Sequence, residues 1–339
     1  MPSANSPVRI GLVGCGLFGE SHLQAMRAVR EGRVEAVYDV RPERAAERAA
    51  AFGIPRVCSS LEEICSLDSL DAIDVVTPEE LHVDPVLTAF AHGKHVFVEK
   101  PLAASLDDCR TLLDAAASAG KLLMVGHLLR FETKYAMIRD EVARGGLGSI
   151  VSMHARRNRY KTLLPEYGRT HPALENCIHD IDLMLWYAGR AVTRVRGYGR
   201  KGTGGKHSDT FWGVIEFEDG PLAVVETIWL TPAGSGIPLD DAFTLSGTEG
   251  IARLQLHPGA LSFWRETGYE SPDLAYDPRV ANSARGCLRD ELAHFCICVA
   301  ENRPSEVLDP RDAMRAVRVA LALIESERLG RDVEIAAWD

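Results

Sequence analysis

Three glycines near the start of the chain, Gly14, Gly16 and Gly19, have the spacing Gly-x-Gly-x-x-Gly. They follow a short apolar run, Val8–Val13, and precede a stretch of helical pattern. In this motif the first glycine allows a tight turn, the second a close backbone approach to a pyrophosphate, and the third close packing of helix on strand. This context predicts a dinucleotide site, with a glycine turn that binds no ligand as the alternative. The expected contacts in the turn are Gly14, Gly16, Leu17, Phe18 and Gly19.

An acidic residue follows where a dinucleotide fold needs one. Asp39 ends the second apolar run, about 20 residues beyond the last glycine. A carboxylate there accepts the ribose hydroxyls of NAD and repels the 2′-phosphate of NADP. Arg41 lies near enough in sequence to weaken that preference. NAD is therefore the expected cofactor, with NADP possible, and a flavin is disfavoured because no second flavin-binding segment follows.

Two later segments follow predicted strands at the edge where ligands of doubly wound sheets bind. Thr77 and Pro78 come after the third apolar run, and Lys100 comes after the fourth. A lysine ammonium there can hydrogen-bond a substrate hydroxyl and favour its ionised or carbonyl state. The alternatives are a plain helix entry at Thr77 and Pro78 and a surface charge at Lys100.

A second group of ionisable residues lies between Glu175 and Trp186. Read as one helix, Glu175, His179 and Asp182 are spaced i, i+4 and i+7 and share a face. A carboxylate one turn from a histidine can hold its tautomer, and such a histidine can take a hydroxyl proton while hydride leaves the carbinol carbon. The alternatives are a solvated charged face and a metal site. No metal is expected, because no partner cluster is evident elsewhere.

The composition is that of a globular protein, with 339 residues, 46% hydrophobic and 25% charged. The formal net charge of -10 and the absence of a basic stripe argue against nucleic acid as a partner. Eight scattered cysteines with no C-x-x-C pair indicate reduced thiols in the cytoplasm. The first apolar run lacks a basic region before it and is far shorter than the roughly 20 residues that span a bilayer, so no membrane is expected.

The apolar periodicity changes in the middle of the chain. Up to residue 126, short apolar runs alternate with helical stretches, which is typical of βαβ units. Beyond it, segments of period-two alternation are separated by tight turns. The expected fold class is α/β, with an N-terminal Rossmann doubly wound parallel sheet (1–126) and a C-terminal α+β domain (127–339) containing a large open, mainly antiparallel sheet.

Four segments resemble the glucose-fructose oxidoreductase / inositol dehydrogenase / rhizopine catabolism (Gfo/Idh/MocA) family of NAD(P)-dependent sugar and cyclitol oxidoreductases. They are IGLVGCGLFGESHLQA, VVTPEELHVDPVLTAFAHGKHVFVEKPL, VGHLLRF and IHDIDLMLWYAG. The EKP triplet is the most specific and the glycine motif the least. The resemblance adds His82, Glu99 and Lys100 to the expected cofactor contacts. It also implies a homodimer or homotetramer, because the open sheet of the family often mediates assembly.

The resemblance implies a catalytic set as well. In inositol dehydrogenases of the family, the lysine of EKP acts with a later Asp-x-x-x-His pair and a further Asp, which fall here on Lys100, Glu175, His179 and Asp182. Many relatives have Asp where this chain has Glu175, and Asn where it has Glu79 and His127. Arg157, Arg159 and His171 lie in the stretch that precedes the histidine helix, where simple surface arginines are the alternative. The expected substrate contacts are Lys100, His127, Arg156, Asn158, Tyr160, Arg169 and His179.

The function expected from these residues is hydride transfer between a secondary alcohol of a sugar or cyclitol and NAD(P). Within enzymes, the alternatives are a nucleotide-sugar or glycoside 3-dehydrogenase and an enzyme that cleaves glycosides by transient NAD-dependent oxidation. A non-catalytic dinucleotide or sugar sensor is the alternative from another class. It is disfavoured because a sensor need not keep both Lys100 and His179.

Overall fold

A computed structural model describes residues 6–237, 239–281 and 283–336. The chain forms two compact units. The first unit comprises the chain through Glu132 together with Ala275–Met314, and the second comprises Thr133–Leu274 and the chain from Arg315 onward. The sequence predicts a single domain boundary between residues 126 and 127. In the structure the later segment Ala275–Met314 also belongs to the first unit.

The first unit contains a wholly parallel sheet interleaved with helices. Its strands are β1 (Val8–Val13), β2 (Gly32–Tyr38), β3 (Arg56–Val57), β4 (Ala72–Val75), β5 (His95–Glu99) and β6 (Leu123–Gly126). Its first helices are α1 (Leu17–Met26), α2 (Pro42–Phe52), α3 (Leu61–Cys65), α4 (Val83–Ala91) and α5 (Leu106–Ala119). The strand order β3-β2-β1-β4-β5-β6 reverses between β1 and β4, which is the point where such sheets bind ligands. The predicted Rossmann sheet is therefore confirmed.

Local sequence accounts for the helix boundaries. Pro42 starts α2, where its missing N–H costs little, and the Oγ of Ser105 accepts a hydrogen bond from the N–H of Asp108 at the start of α5. The first helix begins at Leu17, inside the glycine motif. Gly16 is its N-cap, so the glycine turn leads into the helix without an intervening loop.

The second unit contains a seven-stranded mixed sheet. The strands and helices of this region are β7 (Ile150–Arg159), β8 (Val192–Arg200), β9 (Thr210–Phe217), β10 (Leu222–Ile228), β11 (Leu239–Gly247), β12 (Ile251–His257), a hairpin of β13 (Phe263–Arg265) and β14 (Gly268–Glu270), α6 (Thr133–Ala143), α7 (Leu164–Tyr167), α8 (Pro172–Glu175) and α9 (Ile178–Ala188). The chain continues through β15 (Arg279–Val280), β16 (Ser283–Ala284), α10 (Cys287–Glu301), α11 (Pro310–Leu329) and β17 (Val333–Glu334). The sheet order is β12-β11-β7-β10-β9-β8-β17, and within it β7 and β10 pair in parallel while the other pairs are antiparallel. The predicted mainly antiparallel sheet is confirmed.

Helix α10 explains why a late segment belongs to the first unit. Its residues Leu288, Leu292 and Phe295 share one buried core with Ile10 of β1 and Phe97 of β5. The rings of Phe97 and Phe295 meet edge to face, with centroids 5.5 Å apart. Burial of this apolar stripe stabilises the parallel sheet from one side.

One face of the second sheet is covered and the other is open. Helix α9 contacts β7 and β10. Along β9, buried and half-buried residues alternate strictly, as expected for a sheet with one covered face. Among the residues described, no helix is both long and apolar enough to cross a membrane.

Candidate active site

The glycine turn has the shape that a bound pyrophosphate requires. Gly14 has a φ of +103°, and a Cβ built there would lie 2.6 Å from the carbonyl oxygen of Val76. A Cβ on Gly19 would overlap the carbonyl oxygen of Gly14. Neither position can take a side chain without displacing the backbone, so this turn fits a dinucleotide fold.

The second glycine of the motif faces open space. Among the described atoms, the nearest to a Cβ built on Gly16 would be Nη1 of Arg44, at 3.7 Å. Within the described part of the chain no side chain caps the N-terminus of α1, so its first N–H groups suit an anion. Leu17 and Phe18 are 62% and 37% exposed, beside the turn. Arg44 was not predicted, although its place in the first turn of α2, after Asp39, is a usable signal.

The carboxylate of Asp39 is held by the backbone on both sides. Its Oδ2 accepts a hydrogen bond from the N–H of Cys15 at 2.8 Å, and its Oδ1 accepts one from the N–H of Arg41 at 2.9 Å. Asp39 is buried just beyond the end of β2. The acid that was predicted to bind the ribose is therefore joined to the glycine turn and to the start of α2.

His82 lies behind the cofactor edge of the sheet. Its Nδ1 is 2.9 Å from the carbonyl oxygen of Pro101, and its Nε2 is 3.0 Å from the carbonyl oxygen of Thr77. The ring is fully buried, and burial lowers its pKa. His82 thus ties the loop of Thr77 and Pro78 to the loop after Lys100, and its contact with the cofactor stays a prediction.

Lys100 and His127 follow adjacent strands at the same edge. Glu99 of β5 pairs in register with Gly126 of β6, so the next residue on each strand is a candidate substrate contact. Lys100 is partly exposed, whereas His127 is buried. Glu99 is only 4% exposed, and its carboxylate points inward, with Oε1 3.2 Å from Nε2 of His22. The expected contact of Glu99 with the cofactor stays a prediction.

The histidine helix is shorter than the sequence predicted. Glu175 ends α8, while His179 lies in the first turn of α9, and Asn176 and Cys177 separate the two helices. The amide of Asn176 donates hydrogen bonds to the carbonyl oxygen of Arg157 and to Oγ1 of Thr227, at 2.9 and 2.8 Å. These bonds tie the break between the two helices to the sheet, and Glu175 lies on α8 whereas His179 and Asp182 lie on α9.

Alternate residues of β7 have different surroundings. The guanidinium of Arg157 forms hydrogen bonds from Nε and Nη2 to the two carboxylate oxygens of Asp180 in α9, each at 2.8 Å. Its Nη1 is 3.1 Å from Oδ2 of Asp241, which also binds Arg159. Asp180 and Asp241 were missed because nothing in the neighbouring sequence distinguishes a buried carboxylate from an exposed one.

The predicted substrate contacts on β7 lie on the other face of the sheet. Nη2 of Arg156 and Nδ2 of Asn158 both bind Asp240, at 2.8 and 3.0 Å. Since successive side chains of a strand point to opposite faces, Arg156 and Asn158 point away from the helix that carries His179. Their contact with the substrate stays a prediction.

The remaining candidates of the second unit lie in the connection between β7 and α9. Tyr160 forms a bridge to Thr231 just beyond β7. Arg169 is exposed, and its Nη1 donates a hydrogen bond to the carbonyl oxygen of Glu166. His179 is half-buried and Asp182 is fully buried in α9. Their roles in the reaction remain predictions.

Comparison with known proteins agrees with this geometry. The family model described as an oxidoreductase family with an NAD-binding Rossmann fold, Gfo/Idh/MocA, matches residues 8–127, and the model of its C-terminal domain matches residues 135–253. Inositol 2-dehydrogenase 2 of Saccharopolyspora erythraea is 30% identical over 291 residues, which are 83% of each chain.

Two further proteins extend the comparison. The 2,7-anhydro-N-acetylneuraminate hydratase of Escherichia coli is 30% identical over 267 residues, covering 75% of this chain and 69% of that protein. The crystal structure of GenD2 from gentamicin A biosynthesis, in complex with NAD, has a TM-score of 0.84 and 25% identity, and covers 99% of this chain and 98% of that one. The chain belongs to the Gfo/Idh/MocA family and is an NAD-binding oxidoreductase, as the sequence predicted.

Proposed function

We propose that this protein transfers a hydride between a secondary alcohol of a sugar or cyclitol and NAD(P). The observation that carries the proposal is the place of Lys100, directly after β5 in the sheet whose β1 ends at the glycine turn. The carboxyl ends of parallel strands meet at one edge, so an ammonium and a dinucleotide turn share that edge. The named activity of the Saccharopolyspora relative supports this substrate class.

In the proposed reaction Lys100 and His179 form the catalytic pair. The ammonium of Lys100 donates a hydrogen bond to the reacting hydroxyl and stabilises the oxygen as its negative charge develops. His179 accepts the hydroxyl proton as a general base. A bound nicotinamide would supply the acceptor for the hydride of the carbinol carbon. Asp182, buried on the same helix as His179, would orient the imidazole, and Glu175 would act from the end of α8.

NAD is the preferred cofactor in this proposal. The carboxylate of Asp39, fixed by two backbone N–H groups, would accept the ribose hydroxyls and repel a 2′-phosphate. Arg41 and Arg44 at the start of α2 would reduce that discrimination, so NADP remains a second cofactor.

A second candidate function is chemistry with no net oxidation. The Escherichia coli relative is named a hydratase, yet it is as similar in sequence as the inositol dehydrogenase. An enzyme of this type would oxidise the sugar transiently and reduce it again after eliminating or adding a group. Lys100 and His179 would serve both half-reactions.

The first experiment measures the absorbance of the reduced nicotinamide with NAD and NADP against cyclitols, aldoses, glycosides and nucleotide sugars. Released aglycone and unsaturated sugar are measured in the same reactions. Formation of reduced cofactor with cyclitols or sugars supports the dehydrogenase. Product without reduced cofactor supports the redox-neutral candidate. Binding of NAD with no reaction on any substrate contradicts both.

The open face of the second sheet is the proposed surface for assembly into a homodimer or homotetramer. At its centre, Val214, Val224 and Trp212 are only half-buried, although β9 and β10 are interior strands of the sheet. A second copy of the chain would cover this apolar centre, and the His154 and Glu226 pair beside it would add polar contacts. Light scattering after gel filtration tests this, since Val224→Asp should reduce the molar mass to that of one chain, and an unchanged mass would contradict it.

A further inference from the structure

In the first unit, a buried hydrogen-bond network of ionisable side chains leads to the backbone of Lys100. His22 of α1 is 0% exposed, with Nδ1 2.9 Å from Oδ2 of Asp74 and Nε2 3.2 Å from Oε1 of Glu99. The rings of Phe18 and Phe97 meet the imidazole edge to face, with centroids at 5.1 and 5.8 Å. One histidine therefore joins α1 to the neighbouring strands β4 and β5.

Each ring nitrogen of His22 faces a carboxyl group, and the ring is protonated over most of the pH range. An imidazolium donates from both nitrogens, whereas a neutral imidazole can donate to only one carboxylate. Burial lowers the pKa of His22, but the charges of Asp74 and Glu99 and their hydrogen bonds outweigh it and raise the pKa to about 10. The protonated ring thus offers one N–H donor to each of the two buried carboxyl groups.

Glu99 connects this group to the lysine. Its Oε2 accepts a hydrogen bond from the backbone N–H of Lys100 at 3.1 Å, while its Oε1 faces His22. The carboxylate fits only because the adjacent residue of β6 is Gly126, where a Cβ would lie 2.5 Å from Oε1. The orientation of Glu99 is therefore held from three sides.

We propose that His22 is a positioning residue for the reaction, holding Glu99 so that the backbone of Lys100 presents its ammonium to the substrate. This inference rests on the proposed function, in which Lys100 binds the reacting hydroxyl. His22 itself is buried and acts through Glu99. Without the ring of His22, Oε1 of Glu99 loses the partner that fixes its direction, and the carboxyl group can turn. Such a turn weakens the hydrogen bond that orients Lys100.

A double-mutant cycle on turnover tests the proposal with the full-length protein. The variants are His22→Gln, Lys100→Met and the combination of both. Misplaced catalytic groups lower turnover by roughly 10- to 100-fold, and we expect a loss of that size for His22→Gln, with NAD affinity retained. In the Lys100→Met background the same substitution should cause no further loss. A purely structural role predicts the same fold-loss in both backgrounds, and that result would overturn the proposal.

A second variant displaces Glu99 without changing any charge. Gly126→Ala places a methyl group against Oε1, and it should lower turnover in the native background but not in Lys100→Met. The matched control is Gly234→Ala, where no atom of the described residues lies within 4 Å of the new Cβ. This variant decides the question if His22→Gln does not fold. Native turnover in Gly126→Ala would contradict the proposal.

The turnover of Lys100→Met distinguishes a failure of the proposed function from a failure of the positioning role of His22. If Lys100→Met retains native turnover, the proposed function fails and the role of His22 fails with it. If Lys100→Met is impaired while the effects of His22→Gln and Gly126→Ala are additive with it, only the positioning role fails.

Discussion

Asp180 of α9 binds Arg157 of β7 through both of its carboxylate oxygens, each at 2.8 Å. Both residues are 1% exposed. The pair holds the first turn of α9, which also carries His179, against the strand beneath it. A buried bidentate ion pair of this kind has a defined geometry, which long surface pairs lack.

Removal of one partner from this pair should be costly. Asp180→Asn leaves the buried charge of Arg157 only partly compensated, and we expect the free energy of unfolding to fall by about 3–5 kcal/mol. The matched control is Asp240→Asn, which makes the same change on the open face of the sheet, where the expected cost is about 1 kcal/mol or less. Urea denaturation followed by circular dichroism measures both, and equal losses would show that the two faces are equivalent.

The proposed catalytic pair predicts a loss of turnover without a loss of cofactor. Lys100→Met removes the hydrogen bond to the reacting hydroxyl, and His179→Ala removes the proton acceptor. Each should lower kcat by roughly 10²- to 10⁴-fold, which is the usual contribution of such groups. Steady-state kinetics gives kcat, and quenching of tryptophan fluorescence gives the NAD affinity. Native turnover in either variant would remove that residue from the mechanism.

A substitution in the glycine turn should weaken the binding of NAD itself. In Gly19→Ala the new methyl group overlaps the carbonyl oxygen of Gly14, so the turn must open. We expect NAD to bind at least about tenfold more weakly, a change of about 1.4 kcal/mol. Gly234→Ala, in an open position, should bind NAD as the native protein does. Fluorescence titration with NAD compares them, and unchanged affinity in Gly19→Ala would argue against a pyrophosphate at this turn.

The carboxylate of Asp39 predicts the cofactor preference. Asp39→Asn keeps an oxygen that can accept from the N–H of Cys15 but removes the negative charge. The ratio of kcat/KM for NADP to that for NAD should rise at least about tenfold, because like-charge contacts cost several kcal/mol. An unchanged ratio would mean that Arg41 and Arg44 already dominate the choice.

The buried imidazolium predicts a pH dependence of stability. The ordinary pKa of His22 is 6.5, and in the folded protein the charges of Asp74 and Glu99 overcome burial and raise it to about 10. Because the folded value is the higher one, the stabilisation is complete below about pH 6.5 and is lost as the pH rises towards about 10. The difference in free energy of unfolding between native protein and His22→Gln should therefore shrink between about pH 6 and about pH 9. Urea melts across this range check the trend, and a constant difference would contradict it.

Short-range signals were sufficient for most of the parallel sheet of the first unit. Strands β1, β4, β5 and β6 are short and almost entirely buried apolar runs, so the residues that start and stop each of them are neighbours in sequence. The strand β1 has the same bounds as the apolar run Val8–Val13. The partners of His22 could not be predicted in this way, because Asp74 and Glu99 are distant in sequence and meet it only when the sheet closes.

The second unit shows where local patterns fail. A helical period runs through Glu175, His179 and Asp182, but α8 ends at Glu175 and α9 begins at Ile178, with Asn176 bonded to the sheet between them. The choice of face in β7 was also beyond the sequence. Arg156 and Arg157 are equally polar, and only the position of Asp180 and Asp241 decides which of them is buried.

The sequence by itself determined the dinucleotide turn, the α/β fold and the family, since these depend on glycines, periodicity and motifs that neighbouring residues carry. Only the tertiary structure decided which carboxylates face which cations. A charge enters the core when its partner arrives from another element, and the free energy of that pairing exists only after the chain has folded.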